Sequence, residues 1–193
     1  MLSYKESLKI LKETSALLEG HFILSSGLHS SKYIQCARLL SKPWKALEIC
    51  SSLSEKIKKE FKKIDLILTP AIGGIVVGYE IGRLLKTETI FCERINDKFT
   101  LRRGFEIKKN SNVLIVEDVI TTGKSSLECS DLVLESRANV LGYACIINRS
   151  GGNSKINKKI ISQLEIDIPT YKKENLPDNL LKIQATKPGS RGL

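Results

Sequence analysis

The stretch from Asn112 to Ser126, NVLIVEDVITTGKSS, restricts the possible folds more than any other part of the chain. Val113 to Val116 are uniformly apolar and mostly β-branched, the pattern of a strand buried on both faces. Such strands belong to parallel sheets with helices packed on each side. From Ser125 the sequence SSLECSDLVLES reads as a helix, so the segment between is a strand–loop–helix corner. A corner of this kind aims free backbone N–H groups and the positive helix end at one place. Thr121, Thr122, Gly123 and Ser125 surround that place with hydroxyls and permissive backbone, which suits a phosphate.

Glu117 and Asp118 stand directly before this anion cradle. Carboxylates there repel a bare phosphate but favour sugar hydroxyls or a divalent cation, so the combination predicts a phosphorylated sugar with Mg²⁺. Acids that merely solvate a strand end are the alternative, and the attached TTGKS weighs against it. Gly123-Lys124-Ser125 also matches the end of the phosphate-binding pattern G-x-x-x-x-G-K-[ST]. That pattern needs glycine at 118, where this chain has Asp118, so a nucleoside-triphosphate loop is excluded.

The run VLIVEDVITTGKSS resembles the phosphoribosyl-pyrophosphate (PRPP) motif of type I phosphoribosyltransferases. The resemblance implies PRPP contacts for Glu117, Asp118, Val119, Ile120, Thr121, Thr122, Gly123, Lys124 and Ser125, with Asp118 also a catalytic candidate. It implies Mg²⁺ as cofactor, carried by PRPP; no residue is assigned directly as its ligand, and Asp118 is the candidate to touch it.

Composition narrows the partners. With 193 residues, 41% of them hydrophobic, the chain can bury one substantial core, so 1–193 is expected to form a single domain. Lys and Arg number 31 against 21 Asp and Glu, a net +10 that fits nucleic acid or polyanionic small molecules equally. Lys56, Lys58, Lys59, Lys62 and Lys63 punctuate one helical stretch as a solvated face, and the sparse aromatics do not interleave with basic residues. Nucleic acid is therefore not expected. The five cysteines are scattered without a C-x-x-C pair and mostly have apolar neighbours, which fits buried thiols in a reducing cytoplasm. No apolar run approaches the ~20 residues of a membrane span.

Taken in order, the chain opens with Ser3 and Glu6 in capping-box spacing before an amphipathic helix. Gly20 to Leu40 reads as two short strands around the turn Ser25-Ser26-Gly27. Ser41 and Pro43 open a helix with Ala46, Leu47, Cys50, Leu53 and Ile57 on one apolar face. Leu66 to Leu68, then Thr69 to Gly74, then Ile75 to Leu85 repeat the strand–loop–helix pattern, and Gly73 and Gly74 allow backbone to approach an anion closely. Thr89 to Cys92 form a strand. Glu93 to Arg103, ERINDKFTLRR, lacks a hydrophobic period and is expected to be a long mobile loop; a solvated hairpin tip is the alternative. Val140 to Ile147 and Leu164 to Ile168 supply further strands, and Arg149 between them could clamp a carboxylate or cap the sheet edge.

The S-G turn followed by Tyr33-Ile34-Gln35-Cys36-Ala37-Arg38 is similar to the N-terminal region of the orotate phosphoribosyltransferase family, and KPGSR in the tail resembles one branch of it. This resemblance implies orotate as acceptor, with Thr121, Arg149, Ser25 and Ser26 as orotate contacts, and Gly73, Gly74 and Arg94 as further PRPP contacts. It makes Glu93 to Arg103 a lid with Lys98, Arg102 and Arg103 as catalytic candidates, reaching the neighbouring subunit of a homodimer. The chain departs from other branches in three places. Ser25 replaces a lysine, the lid has no histidine, and Asn175 and Asp178 fall where a cysteine pair stands elsewhere. The expected fold is α/β: a central parallel sheet flanked by helices, with a small hood from about 1–40 and 153–193.

Overall fold

A computed structural model describes residues 1–24 and 26–188. Its centre is a six-stranded sheet in the order β5-β4-β3-β6-β7-β8, built from β3 (Leu66–Pro70), β4 (Thr89–Ile95), β5 (Lys98–Leu101), β6 (Asn112–Ile120), β7 (Asn139–Asn148) and β8 (Ile160–Glu165). All neighbours run parallel except β5, which returns antiparallel along β4. Strand β6 shows why this sheet must be covered twice. Leu114 and Val116 join one core, and Val113 and Ile115 join the other, all fully buried.

The first core is closed by α1 (Tyr4–Glu13), α2 (Cys36–Leu40), α3 (Pro43–Glu60) and α4 (Gly73–Leu85), through residues such as Leu11, Leu39, Ile49 and Ile81. The second is closed by α5 (Lys124–Glu135), through Cys129 and Val133. The capping box of α1 forms as the sequence predicts, with Ser3 and Glu6 exchanging hydrogen bonds. On α3 the buried face is Ala46, Ile49, Cys50, Leu53 and Ile57, while Leu47 is 40% exposed. Leu47 lies one residue, or 100° of helix, away from the seam that Ala46 and Cys50 define.

Helix α4 rides unusually close to the sheet. A β-carbon at Gly78 would lie 2.0 Å from Thr69 Cγ2, and one at Gly82 would lie 2.0 Å from Thr89 Oγ1. Only glycine fits at these two positions.

A second, antiparallel sheet joins β1 (Leu17–Ile23), β2 (His29–Ile34) and β9 (Thr170–Tyr171). The tail reaches the same sheet, where Thr186 exchanges backbone hydrogen bonds with β1 at Ile23 and His21. His21 and His29 meet inside it at 2.6 Å, and the other His21 nitrogen faces the Ile183 carbonyl. Within the segment from 153 onward, β8 belongs to the central sheet; the expected strand Leu164 to Ile168 begins earlier, at Ile160, and its ladder with β7 ends at Glu165. The remaining short helix is α6 (Asp178–Leu181).

The expected loop at Glu93 to Arg103 is instead a β-hairpin. Asn96 and Asp97 both take positive φ, +47° and +63°, the two-residue turn that matches strand twist, so β4 runs directly into β5. Phe99 on β5 is buried and anchors the hairpin.

Candidate active site

Strands β3 and β6 are adjacent and parallel, so the loops after them open side by side at the carboxyl end of the sheet. Contact between the two loops is intimate. A β-carbon at Gly73 would fall 3.0 Å from Asp118 Oδ1, and one at Gly74 would fall 3.0 Å from Pro70 Cδ and 3.2 Å from the Val116 carbonyl. These glycines therefore let the start of α4 press against the acidic strand end, a packing requirement beyond the close anion approach that the sequence suggests.

Thr121, Thr122 and Gly123 turn the chain from β6 into α5. Gly123 takes φ +79°, and the α5 N-terminus has no side-chain cap. The turn borders a recess of about 50 Å³ lined by Glu117, Val119, Thr121, Thr122, Gly123, Lys124 and Ser125, and Lys124 N–H donates to the Thr122 hydroxyl at 3.4 Å. Ile156 closes the back of this turn, its Cδ1 only 2.8 Å from the β-carbon position of Gly123. Lys155 N–H also donates to the Thr122 carbonyl at 3.3 Å. The turn is thus buttressed by a segment with no recognisable sequence signal.

Burial pushes the Glu117 carboxyl up to about 7; the negative Asp118 adds to this, and a hydrogen bond from Ser126 opposes it. Asp118 is raised as well, chiefly by burial, against a 2.9 Å hydrogen bond that Val119 N–H donates to Oδ1. Each carboxylate keeps an oxygen outside those bonds. Among the described residues no group of three or more His, Cys, Asp or Glu gathers to hold a metal. Mg²⁺ prefers six oxygens, so these two carboxylates could hold it only together with oxygens from other sources.

Across the opening, β6 and β7 end in register, Ile120 opposite Asn148, so Thr121 and Arg149 are the first residues beyond neighbouring strands. Arg149 N–H donates to the Ile120 carbonyl at 2.8 Å. Its side-chain Nε is buried without a hydrogen-bond partner among the described residues, and burial lowers the guanidinium pKa while Tyr33 nearby opposes the shift. A buried donor without an acceptor is a costly arrangement that an anionic ligand would relieve. Ser26 sits exposed in the β1–β2 turn, and its hydroxyl accepts from Leu28 N–H at 3.5 Å. Ser25 and the Gly189-Ser190-Arg191 part of KPGSR lie outside the described residues.

The hairpin cations are largely engaged. Arg94 pairs with Glu128 on α5, donates to the Asp97 carbonyl at 2.7 Å and lies 4.2 Å over the Phe99 ring. Arg103 bonds Glu93 at 3.0 Å, and Arg102 reaches the same carboxylate at 4.0 Å. Lys98 is exposed, with no ion pair among the described residues. Lys124 also approaches Glu128, at 3.9 Å. Ser126, Glu128 and Ile156 thus join the site without having been singled out in the sequence. Ser126 was hidden behind its neighbour Ser125, and the link between Glu128 and Arg94 spans 34 residues.

A larger cavity of about 520 Å³ opens at the opposite end of the sheet, beside Asp65, Glu88 and Ser111 where β3, β4 and β6 begin. The turn from Thr121 to Ser125 and the acidic pair lie at the other end of the sheet.

The phosphoribosyl transferase domain family matches residues 42–177. Curated orotate phosphoribosyltransferases from Parvibaculum lavamentivorans and Maricaulis maris are 46% and 44% identical, covering 95% and 97% of this chain and 96% and 97% of their own lengths. Among solved structures, orotate phosphoribosyltransferase from Aeropyrum pernix superposes with a TM-score of 0.69 at 22% identity, over 82% of this chain and 92% of its own. Adenine phosphoribosyltransferase from Saccharomyces cerevisiae gives 0.66 at 21%, over 81% and 99%, and at such identities the structures establish the fold alone. Near-full-length identity to the curated enzymes, over a chain that carries the acidic pair and phosphate turn, establishes that it belongs to the orotate phosphoribosyltransferase family.

Proposed function

We propose that the chain transfers the 5-phosphoribosyl group of PRPP to orotate, giving orotidine 5′-monophosphate and pyrophosphate in pyrimidine biosynthesis. The observation that carries the acceptor is Arg149, whose buried Nε lacks a partner among the described residues, one residue beyond a strand end that abuts Thr121. A planar guanidinium in that state is suited to the orotate carboxylate. Thr121 and Ser26 are the other described candidates for the base, and Ser25 completes that set.

In this reading the α5 N-terminus, with Thr121 to Ser125, binds the 5′-phosphate, assisted by the backbone of Val119 and Ile120. Glu117 and Asp118 bind the ribose hydroxyls, and Gly73, Gly74 and Arg94 receive the diphosphate. The bond from ribose C1 to the pyrophosphate oxygen breaks, its electron pair leaving with the diphosphate, as an orotate nitrogen bonds to C1 and releases its proton to the departing diphosphate or to water; positive charge develops on the ribose between. Two buried carboxylates beside that ribose favour such charge. Lys98, Arg102 and Arg103 neutralise the departing diphosphate and exclude water. Mg²⁺, when bound with PRPP, supplies further neutralisation of the diphosphate.

The whole of 1–193 is assigned to one domain, with the hood over the carboxyl edge of the sheet formed by its terminal segments. A homodimer is supported by α4, whose outer face leaves Ile72, Val76 and Tyr79 exposed at 84%, 49% and 67% beside the site. The hairpin then serves the neighbouring subunit. Five free, buried cysteines suit a cytoplasmic enzyme, and no helix among the described residues is long and apolar enough to cross a membrane. The test is loss of orotate absorbance on mixing the protein with Mg²⁺ and PRPP, repeated with purine bases. Turnover of adenine but not orotate would overturn the acceptor. Arg149→Ala is expected to raise KM for orotate about 10- to 100-fold and leave that for PRPP nearly unchanged.

A further inference from the structure

We infer that Ser126 is a positioning residue whose hydroxyl holds the Glu117 carboxylate in register with the phosphate turn, so that one helix fixes both ends of a bound ribose 5-phosphate. The inference rests on the donor-site reading above. Ser126 is fully buried in the first turn of α5 and donates to Glu117 Oε2 across the corner.

A buried helical serine commonly returns its hydroxyl proton to the carbonyl four residues earlier. Ser130 does so, donating to the Ser126 carbonyl at 3.1 Å. Ser126 instead spends its proton on a side chain of the strand. Its backbone is held from behind, because Ser130 also meets the buried Tyr143 hydroxyl of β7. With Ser130 donating to Ser126, Tyr143 must donate to Ser130. Tyr143 and Ser130 thus hold the Ser126 main chain from β7, while the Ser126 hydroxyl separately holds Glu117 of β6.

The consequence is geometric. The turn that would bind the 5′-phosphate and the carboxylate that would bind the ribose hydroxyls belong to different elements, and β6 alone would not keep them at a fixed separation. Ser126 couples them. A ligand that touches only the turn should ignore this coupling, whereas one that spans turn and carboxylate should depend on it.

Calorimetry with inorganic phosphate and with ribose 5-phosphate separates the two cases without needing an acceptor base. Ser126→Ala is expected to weaken ribose 5-phosphate about 3- to 10-fold, the loss of one hydrogen bond to a charged group, and to leave inorganic phosphate unchanged. Ser126→Thr, which restores the hydroxyl, should recover most of the affinity. In a Glu117→Ala background, Ser126→Ala should have no further effect, since it acts through Glu117. Equal weakening of both ligands, unchanged affinity for both, or an additive loss in the double variant would overturn the inference. Turnover then separates it from the functional reading: a wild-type protein inactive with orotate overturns that reading while the ribose 5-phosphate measurement still decides Ser126. For an active enzyme, KM for PRPP should rise by the same factor and KM for orotate by less than about twofold.

Discussion

The acidic strand end and the cationic hairpin open onto the same edge of the sheet, yet they are built on opposite plans. Around Glu117 and Asp118 the partners are uncharged and short-ranged: the buried Ser126 hydroxyl, the half-buried Val119 N–H and the side-chain-free surface of the exposed Gly73. On the hairpin the partners are charged side chains: Arg102 and Arg103 are more than half exposed, and the Glu93 carboxylate they share is 23% exposed. Exposed ion pairs are worth little and exchange readily, whereas a buried hydrogen-bonded carboxylate is fixed and sensitive to its shell. One region is made to hold a shape; the other is made to give up its present partners.

Changes on the buried side should therefore break activity first. Asp118→Asn alters charge but hardly shape, and kcat/KM should fall by about 100-fold or more while the fold survives, read by steady-state kinetics beside circular dichroism. Unchanged kinetics would remove Asp118 from the chemistry. Gly73→Ala should come next, because the new methyl must push the Asp118 carboxylate aside; kcat/KM for PRPP is expected to drop roughly 10- to 100-fold with only a modest loss of thermal stability.

On the hairpin the effects should be smaller and graded by prior engagement. Lys98→Ala, removing a cation without an ion pair among the described residues, should lower kcat more than Arg103→Ala, which also releases Glu93. Losses of about 3- to 30-fold in kcat are expected, with melting midpoints nearly constant. Identical losses from both would show that the resting ion pairs do not matter.

The smallest effect is on stability and runs opposite to function. Glu117 has its folded pKa raised to about 7 from an ordinary 4.5. Folding thus favours its protonated form, so its contribution is fully present below pH 4.5 and is lost as pH rises through 7. Glu117→Gln should stabilise the ligand-free protein at pH 8 by about 1–2 kcal/mol and be neutral near pH 4, seen in paired denaturant titrations. Equal stability at both pH values would mean that the carboxyl is better solvated than its burial implies.

The same contrast explains what the sequence could reveal. Val113 to Val116 announce their strand because every side chain is buried, and the turn after them is announced by its hydroxyl residues and by Gly123, where φ is +79° and a β-carbon would lie 2.8 Å from Ile156. The hairpin was harder to read. Its code lies in two residues, Asn96 and Asp97, that accept positive φ, and in a single buried Phe99 amid charges, too little for a hydrophobic period. Ser126 is invisible for another reason: its role depends on a partner in a different element, and nothing local distinguishes it from Ser125. Ile156 likewise acquires meaning only when the chain brings it over Gly123.

Helix α4 carries glycine at four of its 13 positions, two of them wedged against threonines of the sheet. Each glycine weakens an isolated helix by about 1 kcal/mol relative to alanine. A segment of this composition has little reason to be helical in water and gains its shape by docking. The helix that begins at the Gly73-Gly74 loop thus owes its form to docking on β3, β4 and β6, and the geometry of the strand end it borders depends on that docking.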